Sequence, residues 1–357
     1  MPPLLTFYSP AQLPAPSSAR FRVAASAIIG ATGKAANDFP PFLPSAVERI
    51  RDGAAIRLAK RIERVPVQTC FSTSPILSSC VRPLNQQQSS DPVVLLHGFD
   101  SSCLEWRYTY RLLEDAGLEA WAVDVLGWGF SNLETRPPCD IVSKREHLYQ
   151  FWRSYIKRPM ALVGSSLGAA VAIDFAVNYP EAVSKLIFIG ASVYAEGTRD
   201  MTGVPKFVPY AGVFVLKSLP LRMLATHLTF NKTPDELFDW VQIGRLHCLL
   251  PWWEDATVNF MMTGGYNVVN QIKQVKQKCL VLWGEDDGII CNKQAFVSYL
   301  RLQQELPSSI LRQVTQCGHI PHLEKPREAA KHMLDFLRSD NPEKVGRASS
   351  LSSTYRH

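Results

Sequence analysis

Residues 160–178 read Met160-Ala-Leu-Val-Gly164-Ser165-Ser166-Leu167-Gly168-Ala-Ala-Val-Ala-Ile-Asp-Phe-Ala-Val-Asn178, and this stretch decides the fold. The apolar run 160–163 predicts a buried strand, and the Ala-rich run 167–178 predicts a helix. The turn between them is a G-x-S-x-G, the pattern of a nucleophile elbow. Gly164 and Gly168 let the backbone turn sharply, and Ser166 is expected in a strained conformation with its hydroxyl in a cleft. The Leu167 N–H then lies at a helix N-terminus, where it can receive an oxyanion. The pattern alone also fits a tight turn with a structural serine, so the rest of the chain must supply partners.

Outward from the elbow the chain alternates. Apolar runs at 93–97, 120–124, 160–164, 186–190, 279–284 and 309–315 predict strands buried on both faces. Helical patterns near 104–115, 144–156, 167–178, 293–302 and 326–338 separate them. This is the signature of a parallel sheet covered by helices. It breaks over 197–271, where helical segments follow one another with no strand signal. An all-helical insertion over the carboxyl edge of the sheet is expected there. Its apolar runs (Phe207 to Leu216, Leu219-Pro-Leu221, Leu249-Leu-Pro-Trp-Trp253) suit packing on the sheet and the lining of an acyl or prenyl tunnel.

A serine hydroxyl at neutral pH needs a base. Gly318-His319-Ile320-Pro321-His322 follows the last expected strand, at the same edge of the sheet as Ser166. His319 is the candidate base and His322 the competitor. The base needs an orienting carboxylate. Gly284-Glu285-Asp286-Asp287-Gly288 follows the strand 279–283, and Asp287, deeper in the loop, is favoured over Asp286. Finally, His97-Gly98-Phe99 ends the first expected strand. Gly98 permits close backbone approach, which makes the Phe99 N–H the second oxyanion donor beside that of Leu167. Asp124-Val-Leu-Gly127-Trp-Gly129-Phe-Ser131 lacks the rest of a phosphate loop and reads as a structural turn bordering the cleft.

Together, His97-Gly98-Phe99, Asp124 with Gly127-Trp-Gly129, Gly164 to Gly168, and Asp287 with Gly318-His319 resemble the α/β-hydrolase family over residues 91–339. The resemblance implies a mostly parallel central sheet flanked by helices, with a helical cap inserted after the sixth strand. Trp106-Arg107-Tyr108 and Val125 to Ser131 are similar to plant plastid hydrolases. That branch includes chlorophyll dephytylases, pheophytinase and a tocopherol-pathway prenyl-ester hydrolase. The implied activity is hydrolysis of an ester carrying a long isoprenoid or acyl chain, with no metal or organic cofactor. Because position 166 is Ser rather than the Asp of epoxide hydrolases and dehalogenases of this fold, acyl transfer is favoured over alkyl transfer. A C–C hydrolase and a non-hydrolytic ligand receptor on the same fold are the rival readings.

Charge gives the chain its ends. Its 357 residues carry a net +6, yet residues 91–357 balance to zero; ten Lys/Arg and four Asp/Glu fall within residues 1–90. A neutral body argues against nucleic acid as a partner. Residues 1–47 hold a single acid, Asp38, amid Ala, Ser and Pro, which reads as a disordered organellar transit segment, chloroplast ahead of mitochondrion. Stroma or envelope is then the expected location. Ser45 with Glu48 has capping-box spacing and opens a basic amphipathic pattern to about Arg64, with Val47, Ile50, Ala54, Leu58 and Ile62 on one face. Such a helix either docks on the body or gives residues 45–66 a peripheral membrane contact. The expected organisation is thus 1–47 transit segment, 48–90 basic helix and lead-in, 91–196 and 272–339 catalytic core, 197–271 cap, and 340–357 disordered tail. The eight cysteines form no C-x-x-C pair and read as free thiols.

Overall fold

A computed structural model describes residues 38–339 except 87–89, 196, 198–202, 291 and 307, and leaves the side chains of 292–295 undescribed. The expected disorder of 1–37 and 340–357 lies outside the described residues. Eight strands form one sheet: β1 Ile62–Val67, β2 Ile76–Val81, β3 Val93–Leu96, β4 Ala120–Val123, β5 Met160–Ser165, β6 Val183–Ile189, β7 Lys278–Gly284 and β8 Ser309–Val314. Their order is β1-β2-β4-β3-β5-β6-β7-β8. Strand β2 pairs antiparallel with β1 on one side and with β4 on the other, and the remaining pairings are parallel. The helices are α1 Gly53–Ala59, α2 Thr109–Asp115, α3 Ile141–Phe151, α4 Leu167–Asn178, α5 Phe207–Leu216, α6 Leu219–Thr229, α7 Leu237–Arg245, α8 Trp253–Met262, α9 Val269–Ile272, α10 Asn292–Glu305, α11 Pro321–Glu324 and α12 Pro326–Arg338. Helices α5 to α9 lie between β6 and β7, so the cap follows the sixth strand.

The strands β3, β4 and β5 are buried along their whole length, because helices cover both faces; hence their unbroken apolar runs. Strand β4 pairs on one side of β3 and β5 on the other. The chain therefore reverses its direction of winding at β3, and a crevice opens at the carboxyl ends of β3 and β5, the usual place for a ligand in such a sheet. Both His97-Gly98 and Ser166 sit there.

The largest correction concerns the N-terminal part. Residues 45–64 do not form one helix. Ser45–Arg49 is a short 3₁₀ turn preceded by Pro44, and no side chain caps it. Asp52 starts the real helix instead, its carboxylate accepting from the N–H groups of Ala54 and Ala55 at 2.8 and 3.1 Å. Past Ala59 the chain becomes β1, where Val65-Pro66-Val67 favours an extended backbone and Pro66 has no place inside a helix. Four of the five side chains expected on one helical face are nonetheless inside, Ala54 being half-buried. Val47, Ile50, Leu58 and Ile62 pack with Leu95, Trp106 and Tyr110 in the layer on one side of the sheet. Arg61 pairs bidentately with Glu114 at 2.7 and 2.8 Å, and the Arg64 Nε donates to the Phe130 carbonyl at 2.7 Å. The segment is therefore part of the body, and its apolar face is not available to a membrane. The body also begins earlier than residue 91: the sheet starts at Ile62, and Leu43 and Val47 already belong to its core, so a removed segment ending at residue 47 would cut into it.

Candidate active site

Strand β5 delivers Ser166 at its carboxyl end with φ +49° and ψ −115°, a left-handed backbone that a non-glycine residue adopts only under constraint. The constraint is visible at the two glycines. A Cβ on Gly164 would lie 2.2 Å from the Gly168 carbonyl oxygen, and one on Gly168 would lie 2.6 and 2.7 Å from the carbonyl oxygens of His97 and Leu96. Those are backbone atoms that cannot move aside, so α4 approaches β3 only because both residues are glycine. The Ser166 N–H donates to the Ile189 carbonyl at 2.8 Å, which fixes the turn to β6.

The serine's neighbours are the expected ones. Ser166 Oγ stands 2.9 Å from His319 Nε2, and His319 Nδ1 stands 2.8 Å from Asp287 Oδ2. A buried carboxylate only accepts, so Nδ1 carries the proton and Nε2 is left to accept from the serine hydroxyl. The other Asp287 oxygen accepts from the N–H groups of Ile289 and Ile290, both at 2.9 Å, and the residue is fully buried. Asp286, the competitor, is partly exposed. His322 is directed elsewhere: its Nε2–H donates to Glu105 at 3.0 Å and its ring lies on Trp106 with centroids 4.4 Å apart. Replacing Asp287 by Asn is expected to lower kcat by about 10⁴-fold with little change in KM, since an amide can hold the imidazole in the wrong tautomer; steady-state kinetics on a soluble ester reads this directly.

Glu105, which the sequence does not single out, governs the loop above the serine. Its Oε2 accepts the Gly98 N–H at 3.0 Å. Burial pushes its carboxyl up, but the hydrogen bond and charge of His322, with the Gly98 amide, outweigh that and hold it down at about 2. His97 completes the support: the Val125 N–H donates to its Nε2 at 3.0 Å and its Nδ1–H donates to the Gly98 carbonyl at 2.8 Å. Burial, opposed by Asp124, keeps the ring below its ordinary value and hence neutral. The Gly98 amide is engaged by Glu105, while Leu167 supplies the first N–H of α4, which has no acceptor inside the helix. A Cβ on Gly98 would stand 3.4 Å from that of Ser166, an ordinary contact; here glycine keeps the space over the serine open rather than relieving a clash. Asp124 is a structural anchor, accepting from the N–H groups of Cys103 and Phe130 at 2.6 and 2.9 Å and from Ser79 Oγ. Trp128 closes the turn edge-on to Phe99, 5.2 Å between centroids.

A second buried cluster joins this loop to the cap. Asp100, at φ +49°, accepts from His247 Nε2 and Trp253 Nε1, both at 2.8 Å, and from the Arg222 guanidinium. Asp100, His247 and Cys248 have the donor types and spacing of a metal site, a grouping that the scattered sequence positions hide. The Arg222 guanidinium, which also donates to Cys248 Sγ at 2.9 Å, puts a positive charge beside all three and makes the cluster an ion-paired latch. Burial opposes a charge on His247, but Cys248 and Asp100 raise it to about 9. A raised folded-state value gives stability that is complete below the ordinary value of about 6.5 and is lost as pH rises through about 9. Thermal unfolding is thus expected to weaken by on the order of 1–3 kcal/mol between pH 6.5 and 10, and His247→Gln to remove that slope; an unchanged slope in the variant would assign it elsewhere.

The cap also touches the histidine loop, the His319 N–H donating to the Thr229 carbonyl at 2.8 Å. Between cap and sheet lies a cavity of about 330 Å³ with Ser166 and His319 in its floor and Leu104, Phe230, Trp240, Val241, Ile243 and Ile320 among its walls. Helices α6 and α7 line it, through Ala225, Thr226, Trp240 and Val241 among others, whereas none of the three runs expected to line a tunnel, residues 207–216, 219–221 and 249–253, does so. The two guanidiniums at its edge are both paired, Arg107 with Asp52 at 2.8 Å and Arg222 with Asp100.

Known proteins match this arrangement. The sequence profile of the Alpha/beta hydrolase family matches residues 93–332. The chain is 51% identical over 326 residues, 90% of its length and 96% of the relative's, to the alpha/beta hydrolase domain-containing protein VTE7 of Arabidopsis thaliana. It is 27% identical over 286 residues (73% and 93%) to a 2-hydroxy-6-oxo-6-phenylhexa-2,4-dienoate hydrolase of Comamonas testosteroni. Among solved structures, a thermophilic esterase from Thermogutta terrifontis superposes with a TM-score of 0.62 at 18% identity, over 78% of this chain and 98% of that one. With the elbow, the eight-stranded sheet and these matches in hand, the chain belongs to the α/β-hydrolase family.

Proposed function

We propose that the protein is a serine hydrolase that cleaves a hydrophobic carboxylic ester, a prenyl or phytyl ester or a long-chain acyl ester, through Ser166, His319 and Asp287. The observation that carries this reading is the hydrogen-bonded Ser166–His319–Asp287 chain in the floor of a largely apolar cavity. His319 takes the Ser166 proton as Oγ attacks the ester carbonyl. The amides of Phe99 and Leu167 hold the oxyanion. Collapse of the tetrahedral intermediate expels the alcohol, which receives the proton from His319 and leaves an acyl-enzyme. Water, deprotonated by His319, then attacks the acyl carbon and frees Ser166. An apolar substrate is favoured over the carboxylate-bearing substrates named for the dienoate hydrolases, because both arginines at the cavity are already neutralised by Asp52 and Asp100.

The reading is tested on p-nitrophenyl esters from acetate to palmitate with Thr226→Trp, which fills the α6 wall of the cavity. Activity on the long esters is expected to fall at least about tenfold and on acetate by less than about threefold; equal losses in a folded variant would remove the cavity as the chain-binding site. Lipid profiling of plastid extracts incubated with the protein and with Ser166→Ala names the ester. The low-acid, Ser- and Ala-rich start of the chain supports a chloroplast location, with cleavage before the packed residues near Phe39. Retention of an N-terminal fusion reporter in the cytosol would overturn that location.

A further inference from the structure

The cap turns an apolar surface outward. Helix α6 has two sides: Ala225, Thr226 and Thr229 line the cavity over Ser166, and Met223, Leu224 and Leu228 point the opposite way, into solvent. At 100° per residue the two sets occupy opposite halves of the helix. No residue of α6 is buried, and α5 buries only Pro209 and Val213. Phe207 and Phe214 are 73% and 70% exposed, and Leu224 is 53% exposed. The two helices join at a 64° bend and together have the length and apolar composition of a broken membrane span. Large side chains left open on consecutive turns of adjoining helices mark an interaction surface.

Charge indicates what the surface meets. Residues 203–234 contain Lys206, Lys217, Arg222 and Lys232 and no Asp or Glu, whereas the rest of residues 91–357 carries a net −4. Lys217 and Arg222 are engaged with Glu254 and Asp100. Lys206 and Lys232 are exposed at the two ends of the helix pair. The apolar face has an exposed lysine at each end and no acid of its own, the nearest being Asp235 and Glu236 just past Lys232 and the Asp255 and Glu254 that bind Tyr210 and Lys217. Such a face suits a bilayer surface that carries anionic headgroups.

We propose that the outer face of α5 and α6 docks the protein on an anionic lipid bilayer, so that the cavity wall formed by the inner face of α6 lies directly beside the membrane. The surface stands on its own observations, and its role in delivering a lipid ester to Ser166 rests on the hydrolase reading above. The apolar side chains of residues 45–66 are spent inside the body, so the cap takes the place that the sequence assigns to that segment.

The test is co-sedimentation of the full chain with vesicles of phosphatidylcholine, alone and with phosphatidylglycerol. Wild type is expected to bind the mixed vesicles more tightly. Phe214→Ser combined with Leu224→Ser should weaken binding to them by at least about tenfold. Lys206→Glu with Lys232→Glu should remove the preference for phosphatidylglycerol. All variants should turn over a soluble short-chain ester and take a fluorophosphonate on Ser166 as wild type does, which reads the hydrolase function separately. Equal vesicle binding by wild type and the Phe214/Leu224 variant would overturn the proposal. So would a wild-type dimer in solution that the same pair of substitutions converts to monomer, because the face would then meet a second copy of the chain.

Discussion

Ser166→Ala is expected to lower kcat by at least about 10⁴-fold, with KM nearly unchanged and the unfolding temperature shifted by a degree or two. The size follows from what the hydroxyl does. In the proposed reaction its oxygen forms the new bond, and it stands 2.9 Å from His319 Nε2, the group proposed to take its proton. The residual rate comes from the oxyanion donors and from substrate positioning, which the substitution leaves in place. Stability barely moves because the left-handed turn at Ser166 is held by Gly164, Gly168 and the bond to Ile189, all of them backbone features. A folded variant retaining a tenth or more of wild-type activity would remove Ser166 from the chemistry.

Asp100→Ala is expected to have the largest effect on stability. The substitution strips the carboxylate partner from the buried His247, from the half-buried Arg222 and from the Trp253 indole N–H. Removing one side of a buried ion pair costs about 3–5 kcal/mol, which for a domain of this size lowers the unfolding temperature by on the order of 10 °C. Activity should fall as well, through kcat, because Asp100 follows Phe99 directly and its anchorage to three cap residues sets where that amide points. Asp100→Asn keeps the shape and the acceptor for Trp253 and should recover part of both losses. A purely structural anchor would show the stability loss with kcat unchanged in the folded fraction. Unaltered unfolding would mean that the latch carries no load.

What was legible in the sequence depends on how far apart the interacting residues lie. Strands β3, β4 and β5 announce themselves because burial on both faces makes them almost wholly apolar, whereas β8, expected to be buried on both faces, is an edge strand with Ile310, Arg312 and Gln313 exposed. The elbow is a local pattern, and the positions of Asp287 and His319 follow from the rule that functional groups collect in the loops after such strands. Strand β2 was hidden because its centre is Ser78-Ser79. Both hydroxyls are buried, Ser78 on His147 and Ser79 on Asp124, so residues 72–90, polar and turn-rich in sequence and readable only as a hairpin leading into the body, hold an interior strand. Residues 45–64 carry the right burial in the wrong element: the spacing of Val47, Ile50, Leu58 and Ile62 matches a helix, yet Asp52-Gly53 restarts the chain and Pro66 ends any helical continuation. The latch among Asp100, Arg222, His247 and Trp253 is invisible to periodicity, since its members come from a loop of the sheet and three separate cap elements. Glu105 is hidden for the same reason, its partners Gly98 and His322 being set by tertiary packing rather than by spacing.

The covalent intermediate is the claim on which the rest depends. Mixing the protein with an activated hydrophobic ester, quenching in acid within the first turnovers and mapping the peptides by mass spectrometry tests it. The account predicts that the mass of the acyl group is gained on the peptide containing Ser166, that the adduct persists longer when His319 is replaced by Gln before slow hydrolysis, and that Ser166→Ala gains nothing. Turnover of the ester with no acyl adduct on Ser166, or an adduct of equal yield in Ser166→Ala, would contradict it.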